Sequence, residues 1–219
     1  MNMTDAEKIR AAEAFLKDKL QSGSYMKAHP AELAYRIEHS YRVANIGRCI
    51  AKNEGFDLTE MTLACLLHDV AYCEDFDPET GWKNHGRRSA HLARPFLESL
   101  GFAPERVDDM CYGIAIHVDD CADFDGVHTR FAETISDADN IDRFDAYRIY
   151  EGLQRQDFGA LPLEEKRVGA EKTLSRLAQL RDMPLATQTA KTLWQERIDF
   201  YTDFYRRLLA QTDASAEIR

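Results

Sequence analysis

The stretch LAYRIEHSYRVANIGRCI, residues 33–50, decides the fold class, because its apolar residues return at helical rather than strand spacing. Val43, Ile46 and Ile50 share one stripe, and His39 lies one turn before Val43 on the same stripe. A second stretch, MTLACLLHD at 61–69, repeats the arrangement: Met61, Ala64, Cys65 and His68 fall on one face and Asp69 follows directly. Outward from these two segments apolar residues recur at three and four spacings almost throughout, and strand-like alternation is scarce. The reading is an all-α chain, a helical bundle.

Helix boundaries follow from the punctuation. The first helix runs from about Thr4, as N-cap, to Lys19. Pro30 opens a second that continues to about Asn53, and Gly55 ends it. Asp57 and Glu60 have the spacing of a capping box for a third helix reaching about His68. An acidic loop, CEDFDPETGWKN at 73–84, leads into a fourth helix from about His85 to Leu100, with a kink or restart expected at Pro95. Pro104 opens a fifth that ends near His117. Long helices from about Arg130 to Tyr150, Pro162 to Leu180 and Leu185 to Gln211 follow. No linker rich in Gly, Ser or Pro marks a boundary, so one domain is expected over 1–219, with a core at about 33–150 and the helices of about 162–211 packed on it.

Composition excludes several classes. A formal net charge of −10 argues against an extended nucleic-acid footprint, which needs a basic face to neutralise phosphates. The longest apolar stretches fall short of the roughly eighteen residues of a bilayer span. The N-terminal MNMTDAEKIRAAEAF lacks the apolar core of a signal peptide, so no membrane partner and a cytoplasmic location are expected. Five cysteines without a CxxC pair indicate neither a disulfide framework nor a zinc ribbon; Cys49, Cys65 and Cys111 read as small core residues. The aromatic stretch Phe200, Tyr201, Phe204, Tyr205 suits packing on the core or a homodimer face.

Four of the seven histidines lie in register with apolar faces. Besides His39 and His68, His117 continues Val107, Met110 and Ile114, and His85 begins a row with Ser89, Leu92 and Phe96. One imidazole on an apolar face is most often a hydrogen-bonded core residue. Burying four without partners would cost roughly 1–3 kcal/mol each, and one shared metal centre satisfies them all. Asp69, at the end of a buried helix, is the first carboxylate to expect there. In SDADNID, residues 136–142, Asp139 continues the face of Ala132, Ile135, Ala146 and Ile149; Asp142, one turn on, is placed to hydrogen-bond a ligand or to replace one, and Asp137 points elsewhere. His29, His91 and His128 read as solvated.

Taken in order, EHSYRVA, LLHDVA, IAIHVDD and SDADNID resemble the HD superfamily of metal-dependent phosphohydrolases, whose His…His-Asp…Asp motif is matched by His39, His68, Asp69 and Asp139. NHGRRSA and IAIH resemble the branch in which two further histidines complete a dinuclear site, here His85 and His117. The resemblance covers about residues 33–150 and lacks the Gly-Tyr-Pro extension of the branch that hydrolyses cyclic dinucleotides. It implies that His39, His68 and Asp139 hold one metal, that His85 and His117 hold the other, and that Asp69 bridges them as the catalytic carboxylate.

Mixed imidazole and carboxylate ligation suits one or two divalent ions of Fe, Mn, Co, Ni or Zn better than Mg, which prefers oxygen and retains its water. A small phosphorylated substrate needs cations beside so many carboxylates, and Lys83, Arg87, Arg88, Arg36 and Arg143 are the candidates. Trp82 is placed to stack on a ring or to pin its loop. Hydrolysis of a nucleotide or another small phosphate ester is the leading reading. The alternative is a di-iron oxygenase of the same superfamily, which iron-dependent oxygen consumption would reveal. A ligand-sensing module would bind nucleotide without product, and a structural site would hold its ions without exchangeable water.

Overall fold

The computed structural model describes residues 3–76, 81–216 and 218; the centre of the acidic loop, 77–80, lies outside them. Ten α-helices follow one another among the described residues, with no strand: α1 (Asp5–Ser22), α2 (Ser24–Ala28), α3 (Pro30–Glu54), α4 (Leu58–Leu67), α5 (His85–Ser99), α6 (Pro104–Ile116), α7 (Arg130–Asp142), α8 (Ala146–Arg155), α9 (Leu163–Leu180) and α10 (Gln188–Ala214). Short 3₁₀ turns, Val70–Cys73 and Gly81–Asn84, flank the acidic loop. No helix among these residues is long and apolar enough to cross a membrane.

The expected end signals act as stated, with three corrections. Thr4 caps α1 in a reciprocal capping box with Glu7, and Gly55 closes α3 in the left-handed conformation at φ 77°. Asp57 caps α4 by accepting from the backbone N–H groups of Thr59 (2.8 Å) and Glu60 (2.9 Å). The reciprocal half of that box is replaced, because the Glu60 carboxylate is taken by Arg106 of α6 (2.9 and 3.0 Å). Pro95 lies inside an uninterrupted α5, so the helix does not restart there. The single helix expected from 130 to 150 is two: Asp145, with extended backbone, caps α8 through the Ala146 N–H, so Ala146 and Ile149 do not continue the face of Asp139.

The chain forms two compact units, one running from the N-terminus to Asn140 together with Ala186–Ala190, the other Ile141–Leu185 together with the chain from Lys191 onward. In the first, α3 packs on α4, α5 on α6, and α1 on α4. Its core includes Leu16, Leu20, Val43, Ile50, Leu63, Leu67, Met110 and Ile114. Cys65 and Cys111 are buried in it as expected, but Cys49 is exposed, since the buried stripe of α3 runs through Ile46, Gly47, Ile50 and Ala51. Close approach of α6 to α7 needs Gly113, where a Cβ would lie 2.9 Å from Ala132 Cα. In the second unit Ile149, Ala170 and Tyr205 form a core with Tyr201, Phe204 and Leu208, while Phe200 stays exposed.

Candidate metal centre

Three of the four histidines of the candidate centre turn Nδ1 onto a backbone carbonyl, while His39 lies within α3. The last carbonyls of an α-helix have no intrahelical partner. His68 follows α4 and its Nδ1 meets Cys65 O at 2.7 Å; His117 follows α6 and its Nδ1 meets Ile114 O at 2.7 Å. His85, at the start of α5, places Nδ1 on Trp82 O in the preceding 3₁₀ turn. A carbonyl oxygen only accepts, so the Nδ1 of each ring carries the proton and each Nε2 presents a lone pair inward. Side chains on carbonyls thus select the tautomer that a metal requires.

These Nε2 atoms converge on two carboxylates. His39 is 3 % exposed, His68 0 %, Asp69 4 %, His85 5 %, His117 5 % and Asp139 2 %, so the whole cluster is withdrawn from water. Asp69 divides its oxygens between two sets of partners. Oδ1 lies 3.1 Å from His85 Nε2 and 3.6 Å from His117 Nε2, and those two nitrogens are 3.0 Å apart. Oδ2 lies 3.6 Å from both His39 Nε2 and His68 Nε2, which are in turn 3.2 and 3.8 Å from Asp139 Oδ1.

The separations fit shared ions. Two ligand atoms about 2.0–2.1 Å from one ion lie about 2.9 Å apart at right angles and about 3.4 Å apart at the tetrahedral angle. His85 and His117 point lone pairs at each other with no hydrogen to share, an arrangement that calls for a cation or a proton between them. His68 Nε2 is buried and has no hydrogen-bond partner among the described residues. The ligand atoms group as His39, His68, Asp69, as Asp69, His85, His117, and as His68, His117, Asp139, each set lying within 4.8 Å.

Protonation states agree with that use. Burial pushes the His68 imidazole down to about 4, leaving it neutral at pH 7. Burial alone would raise Asp69, but His68, His117 and His85 around it hold its carboxyl well below the usual range. Burial also opposes charge on His117, yet contact with Asp69 raises its pKa, so this ring takes a proton when nothing else balances the carboxylate.

The other candidates are spread more widely. Arg36, one turn before His39, reaches the centre: Nη1 donates to Asp69 Oδ2 at 3.1 Å and Nε to Glu32 at 2.9 Å. Arg87 is engaged by Asp119, Asn84 and the carbonyls of Lys83 and Cys121. Arg88 pairs with Glu74, and Lys83 is exposed beside the exposed ring of Trp82. Arg143 is exposed in the second unit, and Asp142, buried at the end of α7, also belongs to that unit. Asp137 turns away, accepting from the Ala186 N–H at 2.8 Å. His91 and His128 are exposed and paired with Asp123 and with Asp120 and Glu133.

Two features escape the sequence reading. The buried row of α5 is His85, Gly86, Ser89, Ala90, Ala93 and Leu97 rather than the row through Leu92 and Phe96. Gly86 lets α5 meet the end of α6, since a Cβ there would lie 2.6 Å from Ala115 O and 3.1 Å from His117 Nδ1. A glycine inside a helix costs about 1 kcal/mol against alanine, and that cost was the available signal. Tyr72 is the other: with Arg36 it lines a cleft of about 660 Å³ formed also by Tyr25, Met26, Glu32 and Phe76.

Residues 36–144 match the HD domain family. The fold is similar to a predicted HD superfamily hydrolase from an uncultured Thermotogales bacterium (TM-score 0.60, 21 % identity, 92 % of this chain and 91 % of that one). It is also similar to Bacillus subtilis YpgQ in complex with ADP (TM-score 0.62, 20 % identity, 95 % and 97 %) and to the Lin1889 protein of Listeria innocua (0.59, 18 %, 99 % and 100 %). No curated protein matches the sequence significantly.

Proposed function

The chain belongs to the HD domain family, and from that premise we propose that it is a metal-dependent phosphohydrolase acting on a nucleotide or another small phosphate ester. The observation that carries this reading is the buried, unpartnered Nε2 of His68, aimed at Asp69 and Asp139 in a cluster of six ligating side chains. On this reading His39, His68 and Asp139 would hold one divalent ion, His85 and His117 would hold a second, and Asp69 would be shared between them. The donor set favours Fe, Mn, Co, Ni or Zn over Mg. Ions bound there supply a water deprotonated near neutral pH and positive charge opposite a phosphoryl oxygen.

The residues of the chain account for the rest. Asp69 and Asp139 together would neutralise only half the charge of two divalent ions, so a centre holding both would attract phosphate despite the acidity of the chain as a whole. Asp69 ties the two halves together, and the Nδ1 bonds of His68, His85 and His117 keep the rings from turning away. Arg36 is the cation nearest the bridging carboxylate for receiving a phosphate oxygen. A nucleotide is a reasonable substrate class because YpgQ, of similar fold, holds ADP.

The test is phosphate release from a panel of nucleotides and sugar phosphates, run without oxygen and with Mn, Co or Fe(II), with Asp69→Ala as control. Release by the parent and not by the variant supports the reading. No release from protein carrying two ions per chain shifts it to a di-iron oxygenase.

A further inference from the structure

The Arg36 guanidinium is held on three sides. Nε binds Glu32 at 2.9 Å, Nη1 binds Asp69 Oδ2 at 3.1 Å, and Cζ lies 3.5 Å from the centroid of the Tyr72 ring. Nη2 makes no hydrogen bond among the described residues, although the side chain is only 18 % exposed. That unspent edge belongs to a side chain lining the 660 Å³ cleft and touching the candidate bridging carboxylate. The N–H groups of Nη2 suit a phosphate oxygen, which accepts a charge-assisted hydrogen bond from guanidinium.

We propose that Tyr72 is a positioning residue for phosphate recognition, its ring face holding Arg36, which lines the cleft, against Asp69. This rests on the phosphohydrolase reading. Tyr72 stands in the 3₁₀ turn directly after His68-Asp69, so the segment that delivers the bridging carboxylate also delivers the ring. Its centroid is 5.0 Å from that of His85 and 5.4 Å from that of Phe76, which meets it edge-on at 90°; the ring is therefore wedged with its face toward the guanidinium. An aromatic face attracts a cation through its quadrupole, and an aliphatic side chain of similar bulk fills the space without that attraction. Tyr72 acts through Arg36, whose fork it keeps at the angle that serves both Asp69 and a bound anion.

A double-mutant cycle tests this. The readouts are ions per chain, affinity of Mn-loaded protein for inorganic phosphate by calorimetry, and kcat and KM on whichever ester of the panel is turned over. Tyr72→Phe keeps the ring face and serves as the reference, and relative to it Tyr72→Leu is expected to lose phosphate affinity about ten- to thirtyfold, mainly in KM, with ions retained. In an Arg36→Met background, Tyr72→Leu is expected to change nothing beyond about twofold. If the leucine variant does not fold, trifluorophenylalanine at position 72 keeps the ring's shape, weakens its face charge, and is expected to lower affinity below that of Tyr72→Phe. Equal losses in both backgrounds, loss of ions on ring replacement, or no effect of leucine or of fluorination overturns the proposal. A Mn-loaded parent that neither binds phosphate nor releases it overturns the phosphohydrolase reading, a separate result.

Discussion

Gly86→Ala probes whether the two halves of the centre are built as the distances imply. A Cβ at 86 would lie 2.6 Å from Ala115 O, 3.1 Å from Ile114 O and 3.1 Å from His117 Nδ1. Two of these atoms are backbone in the last turn of α6 and cannot yield alone, so α5 must retreat by about half an ångström or more. His85 precedes Gly86 and moves with it. The 3.0 Å and 3.1 Å separations from His117 Nε2 and Asp69 Oδ1 then open. Metal–ligand distances tolerate about 0.2 Å, so the ion of this half is expected to bind at least about tenfold more weakly. His39, His68 and Asp139 lie on α3, after α4 and on α7, and should keep theirs. Overpacking costs about 1–3 kcal/mol, which for a chain of this size lowers Tm by about 3–10 °C. The assay is ions per chain by mass spectrometry after loading with Mn or Co and gel filtration, with a melting curve on the same sample. The control is Gly169→Ala in α9, where a Cβ meets nothing within 4 Å and helix propensity predicts no loss of stability. Two ions held at parental affinity, or a folded variant that loses both, would refute the division of ligands into halves.

Asp69→Ala should strip both ions and abolish phosphate release, because both sets of partners share that carboxylate; normal activity in a folded variant would end its bridging role. Acidification should release the two ions in order. His117, raised by Asp69, competes for a proton at higher pH than His68, which burial holds at about 4, so the ion of the His85 and His117 half should leave first as pH falls from 8 to 5. Simultaneous loss would count against this order. Thiol reagents should modify exposed Cys49 and Cys121 in the native protein, whereas buried Cys65 and Cys111, the latter pushed up to about 12 by burial, should react only on unfolding. Mass mapping of the labelled cysteines checks it.

What could be read from the sequence follows from where these residues stand. His39 to Ile50 is legible because a buried stripe carries its register in the sequence itself, and Met61 to His68 because the run from Thr59 to Leu67 is buried throughout, so the polar ring that ends it stands out. The face of α5 is misread for the opposite reason: it packs through Gly86, Ser89, Ala90 and Ala93, which are small so that α6 can come close and carry little apolar signal. Phe96, which suggested the other register, instead stacks on Phe15 of α1 at 4.2 Å and stays partly exposed. The break after Asp142 is announced only by Asp145, one carboxylate among 38 acidic residues, with neither proline nor glycine beside it.

The centre divides along the same line. His68 and His117 are conspicuous because a polar ring at the end of an apolar run is costly unless it has work, and the end of a helix provides some: the free carbonyls of Cys65 and Ile114 each bind Nδ1 and turn Nε2 inward. That orientation is local and can be inferred from sequence once the helix ends are known. Which oxygen of Asp69 faces which pair of histidines is not local. It depends on α3, α5, α6 and α7 converging on the segment after α4, and therefore on glycines that set how near two helices come. Tyr72 is hidden for the same reason, since nothing in its own segment announces that Arg36, a whole helix earlier, will lie 3.5 Å above its ring. Chemistry carried by one helix end is legible in that helix; chemistry made by the spacing between helices is legible only in the packing that sets it.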